Sequence, residues 1–232
     1  MGQEVANTAI QSGSFLTGFI KAFKDAVDAG EPWLFFIAIA FAFAVGFALE
    51  RFWRLFFQLN IDGQSFMFDV QKHILANDIE GAIRVCNGAS AAALPKVIKA
   101  GLQRASRTDE QIQNAIDAVS LEMIPKLEKR LGYLALIANV ATLLGLLGTI
   151  AGLIKSFNAI GEAKDAIQRQ ALLGQGIAEA MNATAFGLIT AIFAMIAHSI
   201  LTNKATKILE EIDEFGVKLM DLLSARKNKA ES

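Results

Sequence analysis

The sequence predicts an all-α membrane protein with three transmembrane helices and long helical extensions outside the bilayer. Of the 232 residues, 53% are hydrophobic and 19% are charged, which is too apolar for an ordinary soluble domain. Three stretches, at 32–49, 131–157 and 175–203, are apolar almost throughout. Each is close to or above the ~20 residues that a helix needs to cross a bilayer.

Positive charges cluster at one set of span ends and predict the topology. The cluster comprises Arg51, Arg54, Lys126, Lys129, Arg130, Lys204 and Lys207. Because lysine and arginine accumulate on the cytoplasmic side, we expect a multi-pass inner-membrane protein with a periplasmic N-terminus and a cytoplasmic C-terminus. The remaining segments are then a periplasmic N-terminal segment (1–31), a cytoplasmic helical domain (50–130), a periplasmic loop (158–174) and a cytoplasmic helical tail (204–232).

The N-terminal segment 1–31 carries phenylalanines at a helical spacing. Phe15, Phe19 and Phe23 recur every four residues, which predicts an amphipathic helix lying on the membrane surface. A poorly ordered terminus is the alternative for the first dozen residues or so.

Three capping signals divide the segment 50–130 into short helices. Asn77-Asp78 predicts a helix through Cys86, and Pro95 opens another through Leu102. Thr108 with Gln111 resembles a capping box, and it predicts a long helix that continues into the second span. Pro125 should kink that helix. Cys86 falls on an apolar face and is expected to be a packed core thiol rather than a reactive one.

The tail contains a seam of apolar residues spaced three and four apart, as in a heptad pattern. The seam consists of Ala205, Ile208, Ile212, Phe215, Leu219 and Leu222. Two interpretations remain open: the tail helix packs on its own domain, or it associates with tail helices of other copies.

The second and third spans each carry a stripe of small and hydroxyl residues. In the second it comprises Ala138, Thr142, Gly145, Thr149, Gly152 and Ser156, and in the third Glu179, Ala183, Thr190, Ala194 and Ala197, with Gly187 beside them. Such stripes permit close helix packing in lipid. The functional alternative is that part of each stripe, through its hydroxyl residues, lines a polar path.

Glu179 is the only carboxylate at membrane depth, which makes it a functional candidate. Lys155 lies at a matching level on the antiparallel second span, so a Lys155–Glu179 ion pair is the structural alternative. Thr149 and Thr184 lie at a similar membrane depth, about one helical turn deeper than Lys155 and Glu179. Thr184 follows Glu179 by five residues and points about 140° away from it, so the two are expected to serve different interfaces.

Two stretches carry a family resemblance. Thr142 to Phe157 reads TLLGLLGTIAGLIKSF, and Gly176 to Ile192 reads GIAEAMNATAFGLITAI. Both resemble signatures of the MotA/TolQ/ExbB proton-channel family, and Ala48 to Leu55, ALERFWRL, resembles the family's exit from the first helix. Three spans rather than four place the chain nearer TolQ and ExbB than MotA. Phe193 and His198-Ser199 stand where the family often has a proline and a Tyr-Asn pair.

The resemblance implies a homo-pentamer around two copies of a single-span ExbD/TolR-like partner that supplies a proton-carrying aspartate. This assembly would convert the proton motive force into mechanical work in outer-membrane import, envelope maintenance or surface motility. A TonB/TolA-like or motility energy-transducing protein would be a further partner, in a lipid membrane. Family pore positions map to Thr149, Glu179 and Thr184, and the other stripe hydroxyls, Thr142, Ser156 and Thr190, are added as candidates for the ion pathway.

The sequence contains no recognisable motif for a metal site, for nucleic-acid binding or for catalysis. His73 and His198 have no ligand neighbours at metal spacing, and a net charge of -1 does not favour nucleic acid. No catalytic motif or cofactor site is recognisable, so an enzyme is not expected. The alternative to a channel is a non-conducting structural membrane scaffold.

Overall fold

The structure is a computed structural model that describes residues 32–162 and 165–231. Within these ranges all regular elements are helical. Their bounds are α1 Pro32–Trp53, a π-helical turn Arg54–Gln58, α2 Gly63–Leu75, α3 Ile79–Gly88, α4 Ala93–Leu102, α5 Asp109–Glu128, α6 Leu131–Glu162 and α7 Ala166–Glu231. The amphipathic helix expected within 1–31 lies outside the described residues.

Three helical stretches, which contain α1, α6 and α7, are long and apolar enough to cross a membrane. The prediction of an all-α protein with three spans is therefore confirmed. The segment expected as a loop at 158–174 differs in being largely helical, since α6 continues to Glu162 and α7 begins at Ala166. Asp165 starts α7 by accepting a hydrogen bond from the Gln168 N–H at 2.7 Å.

The chain divides into two compact units. In the membrane unit, whose described residues are 32–46, 133–162 and 165–196, α1 packs on the pair formed by α6 and α7. Leu34 and Ile37 of α1 pack with Phe186 of α7 and Leu144 of α6. Large apolar side chains on other faces remain exposed, such as Phe35 and Leu143, as expected where lipid or another membrane helix covers them.

In the bundle unit, whose described residues are 47–132 and 197–231, the C-terminal part of α7 packs against the short helices. Phe215 lies against Gly63 of α2, Leu219 against Gly101 of α4, and Gly216 beside Ile116 of α5. The tail seam is therefore buried within its own chain, which favours the first of its two interpretations. Its buried members are Ala205, Ile208, Ile212, Phe215 and Leu219.

The caps predicted at Asp78 and Thr108 are confirmed, whereas α4 begins at Ala93, two residues before Pro95. The Asp78 carboxylate accepts a hydrogen bond from the Gly81 N–H at 2.8 Å, and this bond is the main cause that lowers the pKa of Asp78. The Thr108 hydroxyl oxygen accepts one from the Gln111 N–H at 3.3 Å. Cys86 is 1% exposed, and burial raises the pKa of its thiol to about 11. It is a core residue, as expected.

The helix that contains Pro125 does not continue into the second span, and that expectation was wrong. α5 ends at Glu128, and Arg130 adopts a left-handed backbone with φ 64° before α6 begins. The chain breaks here because other groups bind the helix end: the buried Arg51 guanidinium donates to the carbonyls of Lys126, at 3.0 Å, and Leu127. An ion pair with Glu50 holds Arg130 in turn.

Candidate ion-pathway site

The backbones of α6 and α7 touch along a row of glycine and alanine. A Cβ atom placed on Gly187 would lie 2.7 Å from the Ala141 carbonyl oxygen and 2.9 Å from the Gly145 Cα. One placed on Gly148 would lie 2.6 Å from the Ala183 Cβ. These distances leave no room for a methyl group, so the helices meet backbone to backbone, the packing that small residues permit in membranes.

Ser156 belongs to this packed row. Its hydroxyl donates to the Gly152 carbonyl at 2.8 Å, and its side chain fills the space in front of Gly176, where an added Cβ would overlap it. Ser156 and Thr190 are both buried within the membrane unit. The predicted stripe thus separates into a buried row with Gly145, Gly152 and Ser156 and a more exposed edge with Thr142 and Thr149.

On α6, the row in contact with α7 contains Ala141, Gly145, Gly148 and Gly152. Helix rotation places Lys155 and Thr149 on opposite sides of this row. Thr149 follows Gly148 by one residue, a turn of about 100°, whereas Lys155 follows Gly152 by three residues, a turn of about 60° the other way. Thr142 follows the buried Ala141 by one residue and so shares the side of Thr149.

The same division holds on α7. Thr184 follows Ala183 by one residue and Glu179 precedes Ala180 by one, so they point to opposite sides of the row. The side of Glu179 is that of Lys155, because Lys155 Nζ lies 3.4 Å from Glu179 Oε2. Thr142, Thr149 and Thr184 therefore share the other side, which we call the hydroxyl face.

The hydroxyl face is turned away from α1. Leu144 and Phe186, which pack on α1, each precede a glycine of the row by one residue and lie on the side of Lys155 and Glu179. In the membrane unit, Thr142 is exposed and Thr149 and Thr184 are half-buried. Three hydroxyl groups thus border the side of the helix pair that α1 does not cover.

Each hydroxyl of this face donates its hydrogen to a backbone carbonyl. Thr142 donates to Ala138 at 3.0 Å, and Thr149 donates to Leu146 at 2.6 Å. Thr184 donates across the helix contact to Gly145 at 3.2 Å. A hydroxyl oxygen that donates in this way still has lone pairs with which to accept. The face therefore presents acceptors to whatever lies beside it.

Glu179 is held by two neighbours on the opposite side. Besides Lys155, its Oε1 accepts a hydrogen bond from Gln175 Nε2 at 2.9 Å. Glu179 and the two threonines Thr149 and Thr184 thus do not form one site, which agrees with the rotation expected from their spacing. Gln175 was not among the predicted residues, although its spacing of four residues from Glu179 was a usable signal.

Asn182 is a second polar residue that the sequence reasoning missed. It lies next to Ala183 in the third span and is exposed in the membrane unit. An exposed amide well inside the span was the available signal, because burying such a group in lipid without a hydrogen bond is costly. We expect another chain to face it.

Comparison with known proteins agrees with this architecture. A model of the MotA/TolQ/ExbB proton channel family matches residues 89–214, more than half of the 232-residue chain. The chain belongs to this family.

Several curated relatives carry the names of two of its branches. The Tol-Pal system protein TolQ of Haemophilus influenzae is 38% identical over 111 residues, which cover 45% of this chain and 48% of TolQ. Biopolymer transport protein ExbB of Pseudomonas putida is 34% identical over 93 residues, covering 40% of this chain and 28% of the relative. Biopolymer transport protein ExbB of Aquifex aeolicus is 37% identical over 94 residues, which cover 40% of this chain and 61% of the relative.

In each case the chain covers less than two thirds of the relative. The three apolar helices together with these relatives define a multi-pass inner-membrane protein of the TolQ/ExbB type.

Proposed function

We propose that the chain is the channel subunit of a proton-driven motor in the inner membrane, acting with an ExbD/TolR-like single-span partner. The observation that carries the proposal is the hydroxyl face of Thr142, Thr149 and Thr184. Hydroxyl groups on a side that α1 does not cover can accept a hydrogen bond from a group of another chain, because their oxygens keep free lone pairs.

The chemistry of the face favours a protonated carboxyl group as that neighbour. The three hydroxyls already donate to backbone carbonyls, so they are left as acceptors. A carboxyl group in apolar surroundings is kept protonated, because burial disfavours its charged form. Its O–H group can then donate to such an acceptor. A partner aspartate that alternately gains and loses a proton at this face is the mechanism proposed here.

The proposed assembly is a homo-pentamer around two copies of the partner, with the N-terminus of each chain in the periplasm. The hydroxyl faces would border the central space, and Glu179 with Lys155 would lie on the α1 side of the α6–α7 pair. Proton passage would turn the pentamer around its partner and so do work in import, envelope maintenance or surface motility.

Valine and serine variants test the hydroxyl face. Thr149→Val and Thr184→Val keep the branched shape and remove the acceptor, whereas Thr→Ser keeps the hydroxyl. With the partner present in proteoliposomes, we expect each valine variant to lose proton flux by about tenfold or more, since a lost hydrogen bond to a partner group costs roughly 1.4 kcal/mol or above. The serine variants should retain most of the flux.

Thr206 is a matched control, because it is exposed on the same helix α7 but in the bundle unit. Thr206→Val should leave flux unchanged. Normal flux in both Thr149→Val and Thr184→Val would overturn the acceptor mechanism. Absence of flux in the unaltered protein with its partner would instead favour a non-conducting scaffold.

A further inference from the structure

The bundle unit has an apolar groove between α2 and α7 that the described part of the chain leaves open. Two adjoining cavities of about 450 and 630 Å³ form it, and both are bordered by Leu222 of α7. Phe68 and Leu75 of α2 line these cavities and are 69% and 73% exposed. The helix α2 has 13 residues, fewer than the ~20 needed to cross a bilayer. Large apolar side chains that are this exposed on such a helix indicate an interaction surface.

The charges that line the groove are mainly positive. Lys218, Arg226 and Lys227 border the two cavities, against the single carboxylate of Asp221. Local partners neutralise two of them, since Lys218 pairs with Glu214 at 2.5 Å and Lys227 Nζ lies 3.9 Å from Asp109. Arg226 donates only to the neutral Asn77. An occupant with an acidic surface would complement this rim.

The same chain carries such a surface on α5. The segment from Asp109 to Glu122 contains four carboxylates and no basic residue. Glu110 and Asp117 are exposed on it, and Leu121 is an exposed apolar side chain, at 67%. We call the exposed side of α5 the acidic flank.

Groove and acidic flank lie at the same height along α7. The groove helix α2 meets α7 at Phe215, which lies against Gly63, and Arg226 of α7 donates to Asn77 in the turn that follows α2. The start of α5 meets α7 at Ser224, which bonds Asp109 at 3.1 Å. Both surfaces therefore accompany the stretch of α7 between residues 215 and 226.

The exposed part of the acidic flank does not occupy the groove of its own chain. In the bundle unit α2 packs on α3, α3 on α4, and α4 on α5, and the start of α5 reaches the rim of the groove, where Asp109 meets Lys227. Glu110, Asp117 and Leu121 nevertheless remain exposed. Two complementary surfaces that one chain leaves open can join copies head to tail, and repetition of such a contact closes a ring when the rotation between copies allows it.

We propose that the groove between α2 and α7 binds the acidic flank of α5 from a neighbouring copy. The inference rests on the assembly of copies in the proposed function and names the surfaces that hold it. Phe68 and Leu75 would be covered by the neighbour's α5, and its carboxylates would face the basic rim.

Paired cysteines test the contact in membranes. Gln71→Cys lines the groove, and Asn114→Cys lies on the flank; neither change removes an apolar contact or a charge. Under mild oxidation, the double variant should form a ladder of covalent dimers, trimers and larger species. Each single variant should form none, because a head-to-tail contact never places two identical residues together. The native Cys86 is buried and does not interfere.

The matched control keeps Asn114→Cys and moves its partner to the exposed Asn87 of α3; this pair should give no ladder. A dimer from Gln71→Cys alone, or no ladder from the main pair, would overturn the proposed contact. Native mass spectrometry of the unaltered protein separates the two proposals. A larger oligomer without the ladder rejects only this interface, and a monomer rejects the assembly as well.

Discussion

Lys155 and Glu179 meet across the contact between α6 and α7, with 3.4 Å between Nζ and Oε2. Gln175 holds the other carboxylate oxygen, so the carboxylate is fixed on the side of the helix pair that α1 covers. This position separates Glu179 from the hydroxyl face and makes its expected role one of holding the two helices together rather than passing protons.

A charge swap checks this role. Lys155→Glu and Glu179→Lys should each place two like charges in contact and reduce proton-driven activity. The double variant should recover most of it because the pair is restored in reverse. The stability effect should be about 1 kcal/mol or less, since the Lys155 side chain is largely exposed. Equal losses of activity in the double variant and in the single variants would show that the ion pair does not contribute to activity.

The backbone contact of α6 and α7 predicts strong intolerance at Gly187. Gly187→Ala would force the new methyl group against the Ala141 carbonyl oxygen and separate the helices, at a cost of about 1–3 kcal/mol. Thermal unfolding in detergent should show a lowered Tm. Gly174 on the same helix has open space around it, so Gly174→Ala should be neutral or stabilising. Equal Tm values for both variants would argue against the close contact.

Arg51 should be essential to the break between α5 and α6. It is 1% exposed and donates to two carbonyls at the end of α5. Arg51→Met would leave those carbonyls unpaired, which costs about 1–3 kcal/mol each. The exposed Arg54 is the control, and Arg54→Met should cost less than about 1 kcal/mol. Denaturant unfolding measures both, and similar costs would contradict the role of Arg51.

Cys86 should react only when the bundle unit opens. Its raised pKa, about 11 against an ordinary value of 9.0, leaves little thiolate at pH 8, and the side chain is covered. Iodoacetamide labelling should therefore be slow in the folded protein and fast in denaturant. Because the folded pKa lies above the unfolded one, stability should fall as pH rises from about 9 to 11. Cys86→Ala should remove this component of the pH dependence, and rapid labelling of the folded protein would contradict the burial.

Local signals predicted the short helices well because a cap acts within four residues: Asp78 and Thr108 both bond N–H groups of their own first turn. The break before α6 could not be predicted in this way. It depends on Arg51, which is 75 residues away from Lys126 along the chain. Sequence spacing indicated Pro125 as the perturbing residue but could not show that the helix would end.

The prediction of the stripe residues from sequence periodicity was limited in the same way, because it could not include the contact with the neighbouring helix. Periodicity placed Thr149 and Ser156 on one stripe, but the contact with α7 buries Ser156 and leaves Thr149 at the edge. A rotation of a few tens of degrees decides this, and only the neighbouring helix fixes it. The rotation between Glu179 and Thr184 depends on a single helix, and it could be predicted from the sequence.

The glycine row also limits the motions that are open to the proposed motor subunit. Side chains that interlock can switch between alternative rotamers and let helices slide, but backbones in direct contact have no such freedom. The membrane-spanning parts of α6 and α7 should therefore move together as one rigid body during the proposed motion. Shear would have to occur elsewhere, either against α1 or at the boundary between one copy and the next.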